Sequence, residues 1–351
     1  MNDMRQGQEL VLSQRFEAVN QFIGQSVAAQ KARAFALRVA AGSDLTVLVR
    51  GETGVGKDHL AELIHELGRC GKPFVRVDCG ALTETLSEAE LFGHAPGAFT
   101  GSVGAKEGLV KVAREGTLFF NEVANMSLGL QAKFLGVLDR KPFRPVGGKE
   151  TFPVKARIIA ATNFKLEEMV RARTFREDLF YRLNVVPFSI APLRERKEDI
   201  PELAAAFLAE SRKRILPEAV DLMTGYDWPG NVRQLRDVVQ AAALMSNGEE
   251  IGVEEVKPRL DQQLRQVAAD KRVISEFYDE DRRLLPIREI EKRYLSVLLE
   301  AAEGNISTAV AISGWARDTV YRRICQFGLE DFVLSRRRDA YLKRMVKRRE
   351  V

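Results

Sequence analysis

Residues 46–57 constrain the fold of this chain more than any other segment. An apolar run, TVLVR (46–50), passes directly into Gly51-Glu52-Thr53-Gly54-Val55-Gly56-Lys57, and the next ten residues, DHLAELIHEL, repeat apolar side chains at helical spacing. A short buried strand that opens through glycines into a helix belongs to a parallel α/β sheet. The glycines let the backbone curl so that its N–H groups converge on one point, at the positive end of the following helix. That point suits a phosphate, and Lys57 adds a mobile positive charge for the β and γ phosphates. A bare glycine turn lacks this strand before it and helix after it, so nucleotide binding by Gly51 to Lys57 is the expectation. The next residue, Asp58, replaces the Ser or Thr whose hydroxyl would ligate magnesium.

The rest of the chain is consistent with that start. Strand-like runs recur at FVRVD (74–78), TLFFNE (117–122), ARIIAA (156–161) and VVPFSI (185–190), mostly separated by helical periodicity. Residues 26–41 read as a further helix, and beyond Pro192 the pattern is helical throughout to about residue 258. The expected organisation is an arm over 1–21, an α/β part over 22–192, a helical lid over 193–258, a charged linker over 259–283, and a small all-α domain over 284–351. With 45% apolar and 29% charged residues the composition is that of a globular protein, which excludes a wholly disordered, collagen-like or coiled-coil chain. No run approaches the roughly 18 apolar residues of a membrane span, and the start lacks a secretory apolar segment. The expectation is a cytoplasmic protein without a membrane partner. Three cysteines, and histidines at 59, 65 and 94, share no ligand spacing.

Charge is unevenly distributed. Lys and Arg number 54 against 49 Asp and Glu, and residues 284–351 hold 14 basic and 9 acidic groups. The 40 groups of each sign in residues 1–283 therefore cancel, and the whole surplus of +5 belongs to the C-terminal segment. A polyanion is the partner such a segment suits.

A nucleotide hydrolase needs an acidic group at the end of a second strand. TLFFNE supplies Asn121-Glu122, where the usual pair is Asp-Glu. Glu122 can polarise an attacking water. Asn121 can reach a magnesium ion only as a neutral ligand or through water, which makes it a weak metal residue.

ELFGHAPGAFTGSVGA (90–105) carries the hexapeptide Gly97-Ala98-Phe99-Thr100-Gly101-Ser102. On this loop the chain resembles the AAA+ domain of bacterial sigma-54-dependent activators, whose GAFTGA loop touches sigma-54. Five of the six residues match. The resemblance implies an AAA+ P-loop ATPase that uses ATP and Mg2+ and remodels the closed complex of sigma-54 with RNA polymerase. It also implies a homo-oligomeric ring, typically a hexamer. ATN (161–163) resembles sensor I, so Asn163 would sense the γ-phosphate or the water. FREDLFYRLNV resembles the segment whose arginines reach a neighbouring subunit, assigning Arg176 and Arg182 as fingers. PLRERKEDI resembles the hinge to the lid, and WPGNVRQL the sensor II segment, assigning Arg233 to the nucleotide. The family usually has Asn at Asp78, where it holds the catalytic glutamate in an inactive pose. Amide and carboxylate thus stand exchanged between Asp78 and Asn121. That exchange motivates an alternative: a hydrolysis-impaired, ATP-binding regulatory subunit of a hetero-oligomeric ring with a related activator. A regulator that no longer uses sigma-54 is a second alternative, raised by Ser102.

Near the C-terminus, a long amphipathic helix that opens after Pro286 and ends at Gly304-Asn305 is followed by helices over 306–312 and 317–327, with Ser313-Gly314 as the turn, a helix-turn-helix. The segment resembles the Fis-type DNA-binding domain of these activators. Arg317, Asp318, Thr319, Tyr321, Arg322 and Arg323 lie at the start of the recognition helix, and upstream activator DNA is the implied partner. Eight Lys or Arg among the last 16 residues would add phosphate contacts. Residues 1–21 are too few for a sensing domain of about 100 residues, so regulation is expected from a separate protein, from expression or from a partner activator.

Overall fold

A computed structural model describes residues 19, 22–42, 44–81, 87–98, 104–209, 211–261 and 285–335. The chain divides into two compact units between Leu260 and Asp261.

The first unit is built on five parallel strands in the order β2-β5-β6-β1-β7: β1 (Val47–Arg50), β2 (Phe74–Asp78), β5 (Thr117–Asn121), β6 (Arg157–Thr162) and β7 (Val186–Ser189). Each falls within a residue or two of the run that signals it. Successive side chains on a strand point to opposite faces, and both faces are covered. Leu48, Leu118, Phe120 and Ile158 pack into one apolar cluster with Phe134, Val137, Leu179 and Leu183. Val47, Val49, Phe119 and Ile159 pack into another with Ala32, Ala36, Leu60 and Ile64. The helices α1 (Val27–Ala40) and α2 (Lys57–Arg69) thus cover one face. On the other lie α5 (Leu128–Leu138), α6 (Leu166–Arg171) and α7 (Glu177–Leu183), which follow the short helices α3 (Ser87–Phe92) and α4 (Leu109–Val112). Burial on both faces is why the central strands β1, β5 and β6 read as continuous apolar runs, whereas the edge strands β2 and β7 expose Arg76, Asp78, Pro187 and Ser189. His65 is part of this core: its Nδ1 sits 2.9 Å from Thr117 Oγ1.

Past Pro192 the chain is not helical throughout. The lid contains α8 (Ile200–Ala206), α9 (Pro217–Gly225), α10 (Asn231–Met245) and a helix α11 over 253–261, but β8 (Arg214–Ile215) and β9 (Glu250–Ile251) pair in parallel between them. Two-residue strands have too few side chains to show a period. Buried Trp228, whose Nε1 donates to Met223 O at 2.8 Å, centres the lid core with Leu203, Leu235 and Val239.

The second unit contains α12 (Ile287–Ala301), α13 (Ile306–Ser313) and α14 (Arg317–Phe327) around Leu295, Leu299, Ala309, Val320 and Ile324. Gly314, at φ 67°, turns the chain between α13 and α14. Among the described residues no helix is long and apolar enough to cross a membrane.

Candidate functional site

The carboxyl ends of β1, β2, β5 and β6 open on a cleft of about 590 Å3 lined by the glycine loop, by Asp78, Asn121, Glu122 and Asn163, and by Arg233 from the lid. In parallel α/β sheets this edge is where ligands bind. Lys57 is buried, and its Nζ donates to Gly51 O at 3.0 Å and Glu52 O at 3.3 Å. The same ammonium lies 3.0 Å from Glu122 Oε1. Glu122 stands in the left-handed region at φ 54°, immediately after β5. A non-glycine residue there is held by its surroundings, and such positions cluster at functional sites. Its second oxygen accepts from Asn163 N at 3.0 Å, and Asn163 Nδ2 donates to Thr53 Oγ1 at 3.1 Å. The glycine loop, the glutamate after β5 and the asparagine after β6 therefore form one connected polar chain across the cleft.

Asp78 and Asn121 are register partners on neighbouring strands, and both line the cleft. The exchange of amide and carboxylate is thus a lateral one, between adjacent positions of the same wall. Asn121 Oδ1 is buried with no hydrogen-bond partner. Asp78 turns locally and accepts from Gly80 N at 3.1 Å. Asp58 pairs with Arg76 at 3.2 Å, and Arg76 also reaches Glu62 at 3.0 Å. Sequence reasoning missed Arg76, because nothing about a lone arginine in a strand marks it as part of a cleft.

The lid closes one side of the loop through groups that motif matching leaves out. The Glu52 carboxylate does not face the cleft. It accepts two hydrogen bonds from Arg194, at 2.6 and 2.8 Å, and a third from Asn231 Nδ2 at 3.1 Å. The Glu52 side chain therefore latches loop to lid. The Arg194 guanidinium, more than burial opposes, holds the Glu52 carboxyl below its ordinary value. Asn231 is fully buried at φ 54°. Its Nδ2 also donates to Thr53 O at 3.1 Å, and its Oδ1 accepts from Leu193 N at 2.8 Å. Arg196 Nη2 donates to Val55 O at 2.7 Å from a buried position. Gly54 passes so close to the lid that a Cβ would lie 2.4 Å from Gly230 O. Arg233 N donates to Gly54 O at 3.3 Å, which brings its side chain to the cleft lining as sequence reasoning expected. Its neighbour Asn231 could have been suspected from the Gly-Asn turn alone.

In the second unit Arg317, Asp318, Tyr321 and Arg322 are exposed on α14, while Thr319 is half-buried. Arg323 is the exception in that group. It is paired with Glu291 of α12, so its charge is engaged inside the domain. The basic segment 336–351 and the linker over 262–283 lie outside the described residues.

The family model described as the Sigma-54 interaction domain matches residues 22–189, that of the AAA+ ATPase lid domain residues 194–272, and that of the Fis family of bacterial regulatory proteins residues 286–327. The crystal structure of NtrX from Brucella abortus in complex with ATP is similar with a TM-score of 0.61 and 31% identity, over 87% of this chain and 69% of that one. The chain belongs to the family of sigma-54-dependent activators. Among curated relatives, this chain is 41% identical to the regulatory protein AtoC of Escherichia coli over 82% of its own length. It is 46% identical to the Nif-specific regulatory protein of Bradyrhizobium diazoefficiens over 61% of its length. It spans 64% of the first of these proteins and 38% of the second.

Two of the arginines assigned from the resemblance, Arg176 and Arg182, lie outside the cleft lining. Arg176 caps the start of α7 and pairs with Asp178 at 2.8 Å. Arg182, with 62% of its side chain exposed, lies 2.9 Å from Asp139. The hexapeptide loop leaves the domain from a ladder of β3 (Gly93–His94) and β4 (Lys106–Glu107), which Val146 also joins. Gly97 turns at φ 72° and Ala98 N donates to Ala95 O at 3.2 Å. Phe99, Thr100, Gly101 and Ser102 lie outside the described residues.

Proposed function

We propose that this activator binds and hydrolyses ATP in the cleft between sheet and lid, and that it spends the cycle on sigma-54-bound RNA polymerase. The observation that carries the reading is the polar chain Lys57–Glu122–Asn163–Thr53 at the head of the glycine loop. Lys57 is placed to neutralise the β and γ phosphates, and doing so withdraws it from Glu122. Glu122 is then free to orient water and accept its proton as the γ-phosphoryl group leaves. Asn163 reports that change, because it touches both Glu122 and Thr53. Arg233 contributes from the lid. Arg176 and Arg182 serve the pocket of the next subunit in a ring, which fits their exposure and their distance from their own pocket.

The donor set suits a hydrated magnesium ion held mainly by the nucleotide. Asn121 Oδ1 is an unpartnered buried acceptor beside Asp78 and Asp58, while no group of three or more His, Cys, Asp or Glu among the described residues could hold a metal by itself. Such an ion would offset phosphate charge.

The loop Gly97 to Ser102 is the element that meets sigma-54. Arg317, Thr319, Tyr321 and Arg322 read upstream DNA, Arg317 and Arg322 with the option of phosphate or base contacts. Open-complex formation with sigma-54 polymerase and ATP tests the whole reading, with wild type compared against Thr100→Ala. Loss of open complexes with ATPase retained supports it. Unchanged activity in the variant removes the loop from the mechanism.

The exchange of Asp78 and Asn121 favours a second reading in which hydrolysis is slow or needs a partner subunit. Steady-state ATPase measurements on wild type and Asn121→Asp decide between them. A gain of about tenfold or more in kcat is expected if the missing carboxylate limits the rate, and no gain sinks the second reading.

A further inference from the structure

Arg50 is the last residue of β1, one position before the glycine loop. Its backbone is held on both sides of the strand: Ile190 N donates to Arg50 O at 2.9 Å, and the next residue's Gly51 N donates to Thr162 O at 3.2 Å. Its side chain runs out to two helices. Nη1 donates to Glu167 Oε1 of α6 at 2.6 Å, and Nη2 donates to Asn184 Oδ1 at 2.9 Å. Asn184 caps the C-terminal end of α7, and the guanidinium carbon stands 6.0 Å from the ring centroid of Phe180 within that helix.

These partners are not arbitrary points on the surface. Glu167 lies in the first turn of the helix that follows Asn163, and α7 is the helix that Arg176 caps and Arg182 rides on. One guanidinium therefore joins the strand entering the phosphate loop, the segment after the γ-phosphate sensor and both finger candidates' helix. Only 23% of the Arg50 side chain is exposed, and its Nε is buried without a partner. Taking this charge out of water is costly unless its remaining donors are well placed. The planar fork cannot keep both Glu167 and Asn184 if α7 moves by about an ångström relative to β1. The contact acts as a strut whose Arg50 end is mostly buried, while 40% of the Glu167 side chain stays exposed.

We infer that Arg50 is a positioning residue that couples the nucleotide pocket of one subunit to the arginines the same subunit presents to its neighbour's pocket. This rests on the ring and finger reading above. Its consequence is directional: a change at Gly51 is felt in α7, so the state of one pocket sets the competence of the adjacent one.

The test is complementation in mixed rings. Arg50→Met keeps the stem's volume and removes the fork. Its own pocket is intact, so affinity for a fluorescent ADP analogue stays within about twofold while kcat falls by about tenfold or more, as misplaced fingers require. Glu122→Gln subunits have the opposite defect, an inert pocket with sound fingers. In an equimolar mixture about half of the Arg50→Met pockets face a sound neighbour, so the rate per such subunit climbs to about half of the wild-type value. A purely structural or same-pocket role for Arg50 gives no gain on mixing, and that result overturns the proposal. Should Arg50→Met fail to fold, Asn184→Ala carries the same test, because it breaks the strut at its far end. Wild type that neither assembles nor hydrolyses ATP would instead overturn the reading of the site itself.

Discussion

Replacing Asn231 with alanine removes the side chain that ties the glycine loop to the lid. Its carboxamide donates to Glu52 Oε2 and to Thr53 O, each at 3.1 Å, and accepts from Leu193 N at 2.8 Å. Leu193 is fully buried, so its N–H is left without water or protein to pair with, at a cost of about 1–3 kcal/mol. The two lost donor bonds are each worth about 1 kcal/mol. Alanine at φ 54° adds about 1 kcal/mol of backbone strain that asparagine partly escapes. Together these amount to about 4–6 kcal/mol, which lowers the melting temperature of the ATPase unit by roughly 10–20 °C. Calorimetry and nucleotide titration are the assays. Asn231→Gly separates the causes, since glycine tolerates the left-handed conformation and should melt at a temperature between those of wild type and the alanine variant. Asn231→Asp keeps the acceptor for Leu193 N but places a second carboxylate against Glu52, so it should lose nucleotide affinity with less loss of stability. An alanine variant that melts within about 2 °C of wild type and binds nucleotide normally would refute the latch.

The Glu52–Arg194 pair predicts a pH dependence of definite sign. The Glu52 carboxyl is held below its ordinary value of 4.5, first by the Arg194 hydrogen bond. Its contribution is therefore complete above that value and disappears as pH falls through the lower folded one. The gap in melting temperature between wild type and Glu52→Gln should be constant near neutrality and close only in acid; a gap that widens in acid contradicts the pairing. On α14, Arg322→Ala should weaken binding to DNA and lower the salt slope by about 0.9 if it contacts one phosphate. Arg323→Ala should instead lower the melting temperature of the C-terminal unit by disconnecting α14 from Glu291, with the salt slope preserved.

Much of the architecture is legible without coordinates. β1, β5 and β6 are apolar runs because both faces of the sheet's centre are covered, while the edge strands β2 and β7 expose every other residue near their ends, and both patterns survive in one dimension. The glycine loop is legible for a similar reason, since a tight curl at a helix start permits few residues. β8 and β9 are not, because two residues carry no period and their pairing spans 36 positions. The side-chain direction of Glu52 is equally hidden. Within GETGVGK it looks like one more phosphate-loop residue, and only Arg194 and Asn231, far along the chain, turn it away. Arg323 shares this fate: its helix is readable, but Glu291 opposite it is not.

By itself the sequence marked candidates for chemistry: Lys57 and Glu122 for phosphate and water, Asn163 and Arg233 through the resemblance to sensor segments, and the arginines of α14. Backbone geometry and spacing are local properties, and motifs record them. The tertiary structure alone decided who touches whom. It set Asp78 beside Asn121 across a strand pair, left Asn121 Oδ1 unpartnered, tied the lid to the loop through Asn231 and ran Arg50 to α7. Those are encounters between segments separated by tens to well over a hundred residues, and their geometry exists only once the two faces of one sheet have been covered.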